Sequence, residues 1–129
     1  MPKAKPLIAI IDDDQSMREA VKGLVKSFGY RAEAVASAQE FLRSRHVRRA
    51  SCLIADMQMP GMTGLELYQR LSASGTPIPT ILITAYPDNG VRERALAAGV
   101  IGYLSKPFEQ DDLLACIRAA LTRAHRGRR

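Results

Sequence analysis

Apolar residues along this chain follow two alternating patterns. Short runs that are apolar at nearly every position lie at 7–11, 52–55, 80–83 and 101–104, and a weaker run lies at 31–35. Between these runs, apolar residues recur every three or four positions, as they do on one face of an amphipathic helix. The alternation therefore predicts five strands, each followed by a helix.

Several predicted helices are bounded by residues that favour helix ends or turns. Ser37 is a candidate N-cap, and Glu40, three residues later, would complete a capping box. Pro60 and Gly64 indicate a turn after the third strand, with a helix beyond it. The apolar spacing places the five helices at 17–28, 38–42, 65–71, 89–98 and 113–121.

The strands and helices together indicate one fold class. Strands that are apolar throughout are typical of parallel sheets whose two faces are both covered by helices. Alternation of strands and helices along the chain indicates the same α/β architecture. The sequence therefore predicts a doubly wound five-stranded parallel sheet with helices on both faces, and we expect the first strand at its centre.

The composition indicates a single globular domain. The chain has 129 residues, of which 47% are hydrophobic, and this content supports a core and argues against disorder. No apolar run approaches the roughly 20 residues of a membrane-spanning helix, so we expect no membrane contact and a cytoplasmic location. Cys52 and Cys116 lie in apolar segments and are expected to be buried, reduced thiols rather than a disulfide. No Cys/His spacing indicates a zinc site.

The charge of the chain raises the question of nucleic-acid binding. The net charge is +6, and positive residues concentrate at 43–49 and 123–129. Neither tract contains the aromatic residues that often accompany nucleic-acid contacts. We interpret the tracts as a solvated helix end and a solvated tail, and nucleic-acid binding through these arginines is kept as an alternative function.

Polar residues stand at the carboxyl ends of four of the five predicted strands. Parallel strands end at a common edge of their sheet, and ligands of such sheets bind beyond that edge. We therefore expect several carboxylates, a hydroxyl and an ammonium to converge there. In chain order these residues are Asp12, Asp13, Asp14, Asp56, Thr84 and Lys106.

This combination of groups is suited to phosphoryl transfer. A carboxylate can act as the nucleophile and form an acyl phosphate, and the charge on the transferred group must be neutralised. Adjacent carboxylates repel one another, and Mg²⁺ removes that conflict because it prefers oxygen ligands. A lysine and a hydroxyl can bind the remaining phosphoryl oxygens. In the turn after Asp56, the backbone carbonyl of Gln58 is a further candidate metal ligand.

Three motifs carry a resemblance to a known family. They are D-M-Q-M-P-G-M-T-G at 56–64, I-L-I-T-A at 81–85 and G-Y-L-S-K-P-F at 102–108. With the aspartates after the first strand, they resemble the receiver domain of two-component response regulators, from residue 6 to about 124. The K-P-F and I-P-T-I-L-I-T segments are similar to receivers of nitrogen-fixation regulators, which precede a helix-turn-helix output domain. We accordingly assign 1–124 to a receiver domain and 125–129 to a basic tail or the start of a linker.

The resemblance implies a role for each residue of the carboxylate cluster. Asp56 would accept a phosphoryl group from the histidine of a sensor kinase, and Lys106 would be the counter-ion of the phosphate. Asp13 and Asp56, with the backbone carbonyl of Gln58, would bind Mg²⁺ directly. Asp12 would bind the same ion through water.

The resemblance also implies a conformational switch. Thr84 and Tyr103 match the family's switch pair, and Gln58 and Tyr86 stand where the family tunes the rate of dephosphorylation. Such a domain catalyses only its own phosphorylation and dephosphorylation, so we do not expect an enzyme. Phosphorylation is expected to change the surface offered to an output partner or domain and to favour a homodimer. Nucleic acid would then be contacted only through an output domain.

A phosphatase of the haloacid dehalogenase class is an alternative built on some of the same residues. Its D-x-D motif would use Asp12 and Asp14, and Thr84 and Lys106 would match its later motifs. That class leaves Asp56 and its Pro/Gly turn without a role. In the receiver interpretation, by contrast, Asp14 lies outside the acidic pair and is available to cap the following helix.

Overall fold

Strands and helices alternate along the chain, as the apolar pattern predicts. The computed structural model describes residues 5–126. The strands are β1 (Leu7–Ile11), β2 (Arg31–Val35), β3 (Cys52–Asp56), β4 (Thr80–Thr84) and β5 (Gly102–Ser105). The helices are α1 (Gln15–Ser27), α2 (Ala38–Arg43), α3 (Gly64–Ala73), α4 (Asn89–Ala98) and α5 (Gln110–Arg126), and a short 3₁₀ helix (Arg45–Arg48) lies between α2 and β3.

The strands form one parallel sheet in the order β2-β1-β3-β4-β5. This confirms the predicted doubly wound sheet, but the expectation that β1 lies at the centre is wrong. Since β2 and β3 pair with opposite sides of β1, β4 and β5 extend the sheet beyond β3 and leave β3 in the middle. The point where the winding reverses, between β1 and β3, is where ligands of such sheets bind.

Two hydrophobic layers cover the two faces of the sheet. On one face, Phe41 of α2 and Leu67 of α3 pack with strand residues such as Leu53. On the other face, Val25 of α1 and Ile117 of α5 pack with the strand residues that point the opposite way. All five side chains are fully buried. Because successive strand residues point to opposite faces, both sets must be apolar, and this explains why β1, β3 and β4 are apolar at nearly every position.

Hydrogen bonds at the helix ends show which predicted caps form. The Ser37 hydroxyl accepts from the Glu40 N–H at 3.0 Å, as predicted. The Glu40 carboxylate, however, accepts from the N–H of Ala36 rather than from that of Ser37, so the predicted capping box is incomplete. A complete box forms at α3, where Thr63 and Glu66 each accept from the other's N–H. This box was not predicted, although Thr63 and Glu66 have the spacing of a capping box before an apolar helix face.

The segment between β3 and α3 differs from its predicted form. Gly64 is the first residue of α3 and does not belong to the turn. The turn contains Gly61, whose φ of +82° is a left-handed conformation that glycine adopts without steric cost.

The start of β5 also differs from its predicted position. β5 begins at Gly102, one residue later than predicted. A Cβ atom at Gly102 would lie 2.7 Å from the sulfur of Cys116, so α5 packs closely against this strand.

The two cysteines are free thiols within or beside the core. Cys52 is buried and Cys116 is partly buried. Burial raises the pKa of the Cys52 thiol, and the neighbouring Cys116 raises it further. Burial, followed by the charge of Asp112, likewise raises the pKa of Cys116. Both thiols therefore stay protonated at neutral pH and behave as small apolar side chains.

The carboxyl-terminal helix extends beyond the predicted domain boundary. α5 continues to Arg126, so the first two residues of the predicted basic tail at 125–129 belong to this helix. The other three residues, 127–129, lie outside the described part of the chain. Among the helices within residues 5–126, none combines the length and apolar character needed to cross a membrane.

Candidate functional site

The carboxyl ends of β1 and β3 bring two carboxylates together. Asp12 directly follows β1, and its N–H donates to the carbonyl of Val35 at the end of β2. Asp56 is the last residue of β3. The two residues are only 3% and 6% exposed. Burial raises the pKa of Asp12, and the charge of Asp56 raises it further, against the opposing hydrogen bond from the Asp14 N–H.

Lys106 places one ammonium between these two carboxylates. Its Nζ donates to Asp56 Oδ2 at 3.1 Å and to Asp12 Oδ2 at 3.3 Å. Burial lowers the pKa of Lys106, but the hydrogen bond to Asp56 and the charges of both carboxylates outweigh burial and raise it. The ammonium therefore remains charged at neutral pH. Lys106 follows β5 and is joined to the next residue by a cis peptide bond, Lys106-Pro107.

A third carboxylate gives the cluster an excess of negative charge. Carboxylate oxygens of Asp12, Asp13 and Asp56 all lie within 4.8 Å of one another, and Asp13 is exposed. Three carboxylates outnumber the single ammonium of Lys106, and the raised pKa of Asp12 reflects this crowding in part. Mg²⁺ prefers oxygen ligands, and these three carboxylates supply them at a partly exposed edge of the sheet. The residues present therefore fit this cation.

Asp14 has a different position from its two neighbours. Its carboxylate accepts from the Met17 N–H at 3.2 Å and caps α1. Its own N–H donates to Asp12 Oδ1 at 2.9 Å and helps to orient that carboxylate. This is the capping position expected for Asp14 in the receiver interpretation, and Asp14 is not a member of the carboxylate cluster.

Thr84 reaches the same edge but is bound to another side chain. Its hydroxyl donates to Gln58 Oε1 at 2.8 Å and accepts from the Tyr86 N–H at 3.0 Å. A hydroxyl has a single proton to donate, so Thr84 cannot donate to a phosphoryl group while it donates to Gln58. Gln58 also touches the cluster, because its N–H donates to Asp56 Oδ1 at 3.0 Å. Sequence reasoning considered its carbonyl and missed the contact of its side chain with Thr84.

The two tyrosines near the site have different environments. Tyr103 lies on β5 beside Leu82 of β4, is partly buried and packs against the apolar layer beneath α4. Tyr86 follows Thr84 closely and is 73% exposed. The Lys106 N–H donates to the Thr84 carbonyl at 2.8 Å, so the ends of β4 and β5 are joined directly. A backbone hydrogen bond therefore links Thr84 to the residue that follows the strand carrying Tyr103.

Comparison with known proteins shows what this arrangement is similar to. A family model described as "Response regulator receiver domain" matches residues 8–118. "Response regulator protein TmoT" of Ectopseudomonas mendocina is 39% identical over 121 residues, which are 94% of this chain and 55% of TmoT. "Transcriptional regulatory protein FixJ" of Bradyrhizobium diazoefficiens is 35% identical over 117 residues, which are 91% of this chain and 57% of FixJ.

Solved structures show the same likeness. The structure of "Response Regulator StyR" superposes with a TM-score of 0.88 at 41% identity, over 97% of this chain and 63% of StyR. The chain thus spans about half the length of the curated relatives it matches. The family model and the relatives named above support neither the phosphatase nor the arginine-driven alternative.

Proposed function

This chain belongs to the response regulator receiver domain family of two-component signal transduction, and on that basis we propose that Asp56 accepts a phosphoryl group from a sensor histidine kinase. The observation that carries the proposal is the position of the Lys106 ammonium, within 3.3 Å of both Asp12 and Asp56. A positive charge held against a nearly buried carboxylate at a strand end is what transfer of a phosphoryl group requires. The proposed role is that of a switch rather than of an enzyme with a separate substrate.

The proposed reaction uses a carboxylate oxygen of Asp56 as the nucleophile. This oxygen forms a bond to phosphorus while the bond from phosphorus to the donor atom breaks, and the electron pair of the broken bond leaves with the donor. Lys106 is already hydrogen-bonded to Asp56 Oδ2 and can turn the same charge towards the phosphoryl oxygens. Water reverses the modification by hydrolysing the acyl phosphate, at a rate that we propose depends on Gln58 and Tyr86.

Mg²⁺ is the proposed cofactor of this transfer. Asp13 and Asp56 would hold the ion directly, Asp12 through water, and the Gln58 backbone carbonyl is proposed as a further ligand. When bound, the ion supplies positive charge to the phosphoryl oxygens. Support comes from the three carboxylates that lie within 4.8 Å of one another, of which Asp12 and Asp56 share the Lys106 ammonium.

Chemical phosphorylation tests the proposed acceptor. The protein incubated with acetyl phosphate and Mg²⁺ is expected to gain the mass of one phosphoryl group, because one carboxylate is activated beside Lys106. The modification should be removed by hydroxylamine, as acyl phosphates are. Borohydride reduction followed by peptide mass spectrometry should place it at Asp56.

The same experiment distinguishes the alternatives. Omission of Mg²⁺ with a chelator present should prevent the modification if the cation is required. A modification at Asp12 or Asp14 would support the phosphatase-type mechanism in place of the receiver mechanism. A modification that resists hydroxylamine would exclude an acyl phosphate at any of these residues.

We propose that the switch begins with an exchange at the Thr84 hydroxyl. In the unphosphorylated protein this hydroxyl donates to Gln58 Oε1. A phosphoryl group on Asp56 offers a charged oxygen as a competing acceptor, and hydrogen bonds to charged groups are stronger than those to a neutral amide. Thr84 would then leave Gln58, and the bond between its carbonyl and the Lys106 N–H would carry the change to β5 and Tyr103.

The proposed output of the switch is a homodimer that regulates an output partner or domain. α4 exposes Arg92, Glu93 and Arg94, and α5 exposes Asp111, Asp112 and Arg118. Charges of both signs on these two helices, which pack on opposite faces of the sheet, can pair across a two-fold axis. In this role the domain acts in the cytoplasm and contacts nucleic acid only through an output domain.

Substitution of Gln58 should strengthen the response to phosphorylation. Gln58→Ala removes the competing acceptor of the Thr84 hydroxyl, so the phosphoryl group gains that hydrogen bond without breaking another. We expect dimerisation of the beryllofluoride-bound protein to tighten about fivefold, the equivalent of one net hydrogen bond. Analytical ultracentrifugation measures the dissociation constant, and the stable mimic removes any effect of Gln58 on dephosphorylation.

Two further variants serve as controls for the dimerisation of Gln58→Ala. Gln69→Ala removes the same amide from an exposed position on α3 and should leave dimerisation unchanged. Thr84→Ala should still bind beryllofluoride but dimerise more weakly than the unsubstituted protein. Equal dissociation constants for Gln58→Ala and the unsubstituted protein would show that Gln58 does not restrain Thr84.

A further inference from the structure

A second concave site lies at the end of the sheet opposite to the carboxylate cluster. It is a cleft of about 460 Å³ at the amino-terminal ends of β1 and β2, bordered by the end of α1 and the 3₁₀ helix. We call it the basic cleft after the residues that line it, Lys5, Lys26, Arg31, Arg45, His46 and Arg49. Leu7, at the start of β1, lines the cleft, and Asp12, just after the end of β1, belongs to the carboxylate cluster. At roughly 3.3 Å per strand residue, the two sites are therefore about 16 Å apart.

The charge of the basic cleft is poorly balanced by the protein itself. Five lysines and arginines line it, together with one acid, Glu33. Within residues 5–126, the ion pairs formed at 4.0 Å or less involve Lys106, and none involves a cation of the cleft. Like charges gathered in a concave surface repel one another and create a strong positive potential. The cleft is therefore an attractive site for an anion.

The residue types and the size of the cleft indicate which kind of anion fits. Arginine guanidinium groups bind phosphate through two parallel hydrogen bonds, and Arg31 is positioned by its Nε donation to the Lys5 carbonyl at 2.9 Å. Tyr30 adds a partly buried aromatic ring to the lining, on which a planar base can stack. The volume is within the range of small-molecule sites and far exceeds that needed for one inorganic phosphate.

We propose that the basic cleft binds a small molecule with two or more phosphate groups, such as a nucleotide or an inorganic polyphosphate. This assignment gives a role to Arg45, His46 and Arg49 of the arginine tract at 43–49, which the phosphoacceptor site does not use. It is independent of the proposed function, because no residue of the cleft belongs to the carboxylate cluster or contacts Thr84 within the described residues. A small ligand is favoured over a nucleic-acid duplex because the positive groups surround a concavity.

Isothermal titration calorimetry tests the proposal with tripolyphosphate and with ATP as probes. A chelator is included so that neither probe can bind through Mg²⁺ at the carboxylate cluster. Both probes should bind at low ionic strength, and binding should weaken as salt is added. Tighter binding of ATP than of tripolyphosphate would assign a role to the Tyr30 ring, and the reverse order would assign the site to polyphosphate; either supports the proposal.

Substitutions within and outside the cleft decide whether binding is local. Arg45→Ala with Arg49→Ala should weaken binding of both probes about tenfold or more, since each arginine can contribute a charge-assisted hydrogen bond. Arg70→Ala removes a positive charge from an exposed position on α3 and should change binding little. Melting temperatures verify that each variant is folded, and phosphorylation at Asp56 should be unaffected by the double substitution.

Three results would overturn the proposal. The first is absence of heat for both probes at low ionic strength. The second is a loss of affinity that is equal in Arg70→Ala and in the double variant, since this would show a diffuse effect of net charge. The third is tighter binding of a short DNA duplex than of ATP, which would assign the cleft to nucleic acid.

Discussion

Asp56→Asn is expected to abolish phosphorylation by acetyl phosphate, with no modified protein detectable in intact-mass spectra. Asparagine has nearly the same shape, and its Oδ1 can still accept from the Gln58 N–H as Asp56 does at 3.0 Å. Lys106 keeps its second carboxylate partner, Asp12. The fold is therefore preserved, and what is lost is the charged oxygen that attacks phosphorus.

Asp14→Ala is the matched control for this loss of a carboxylate. Asp14 lies two residues from Asp12 and caps α1. Its replacement should lower the free energy of unfolding by about 1 kcal/mol, as loss of an N-cap does, and leave phosphorylation largely intact. Persistent modification of Asp56→Asn, or its loss in Asp14→Ala, would contradict the assignment of Asp56 and transfer the nucleophile to the aspartates that follow β1.

Gly64→Ala is expected to lower the free energy of unfolding by about 1–3 kcal/mol, as overpacking of a filled core does. A Cβ atom at Gly64 would lie 2.8 Å from the Asp56 carbonyl oxygen and 2.8 Å from Leu82 Cδ2. It would also lie 3.1 Å from the Cβ of Ala55. Because α3 begins against the backbone of Asp56, relief of the clash must shift either α3 or the end of β3. Phosphorylation of the variant should consequently be slower.

Gly23→Ala provides the control in which the same methyl group meets open space. Gly23 lies within α1, is exposed and has no atom within 4 Å of a Cβ built on it. Its replacement should raise the free energy of unfolding by about 0.5–1 kcal/mol, because alanine loses less backbone entropy in a helix. Urea unfolding followed by circular dichroism measures both variants. Equal stability of the two variants would show that α3 can move away from β3 without cost.

The helices and most strand boundaries were accessible from the sequence because they depend on local patterns. The spacing of Val21, Val25 and their neighbours specifies one apolar face of α1 whatever lies against it. The capping residue Asp14 also acts within its own helix turn. The predicted capping box at Ser37 was only half right: Ser37 caps α2, but Glu40 accepts from the N–H of Ala36 instead of that of Ser37.

The chain order of the strands, the polar residues at their carboxyl ends and the acidic character of the site were determined by the sequence alone. Each of these features is local, since a strand carries its last residue with it. The tertiary structure decided the position of β3 in the middle of the sheet, the sharing of Lys106 between Asp12 and Asp56, and the donation from Thr84 to Gln58. It also assembled the basic cleft from separate segments. These contacts join residues distant along the chain, and the packing of helices on both faces of the sheet, rather than any local pattern, sets the distances between them.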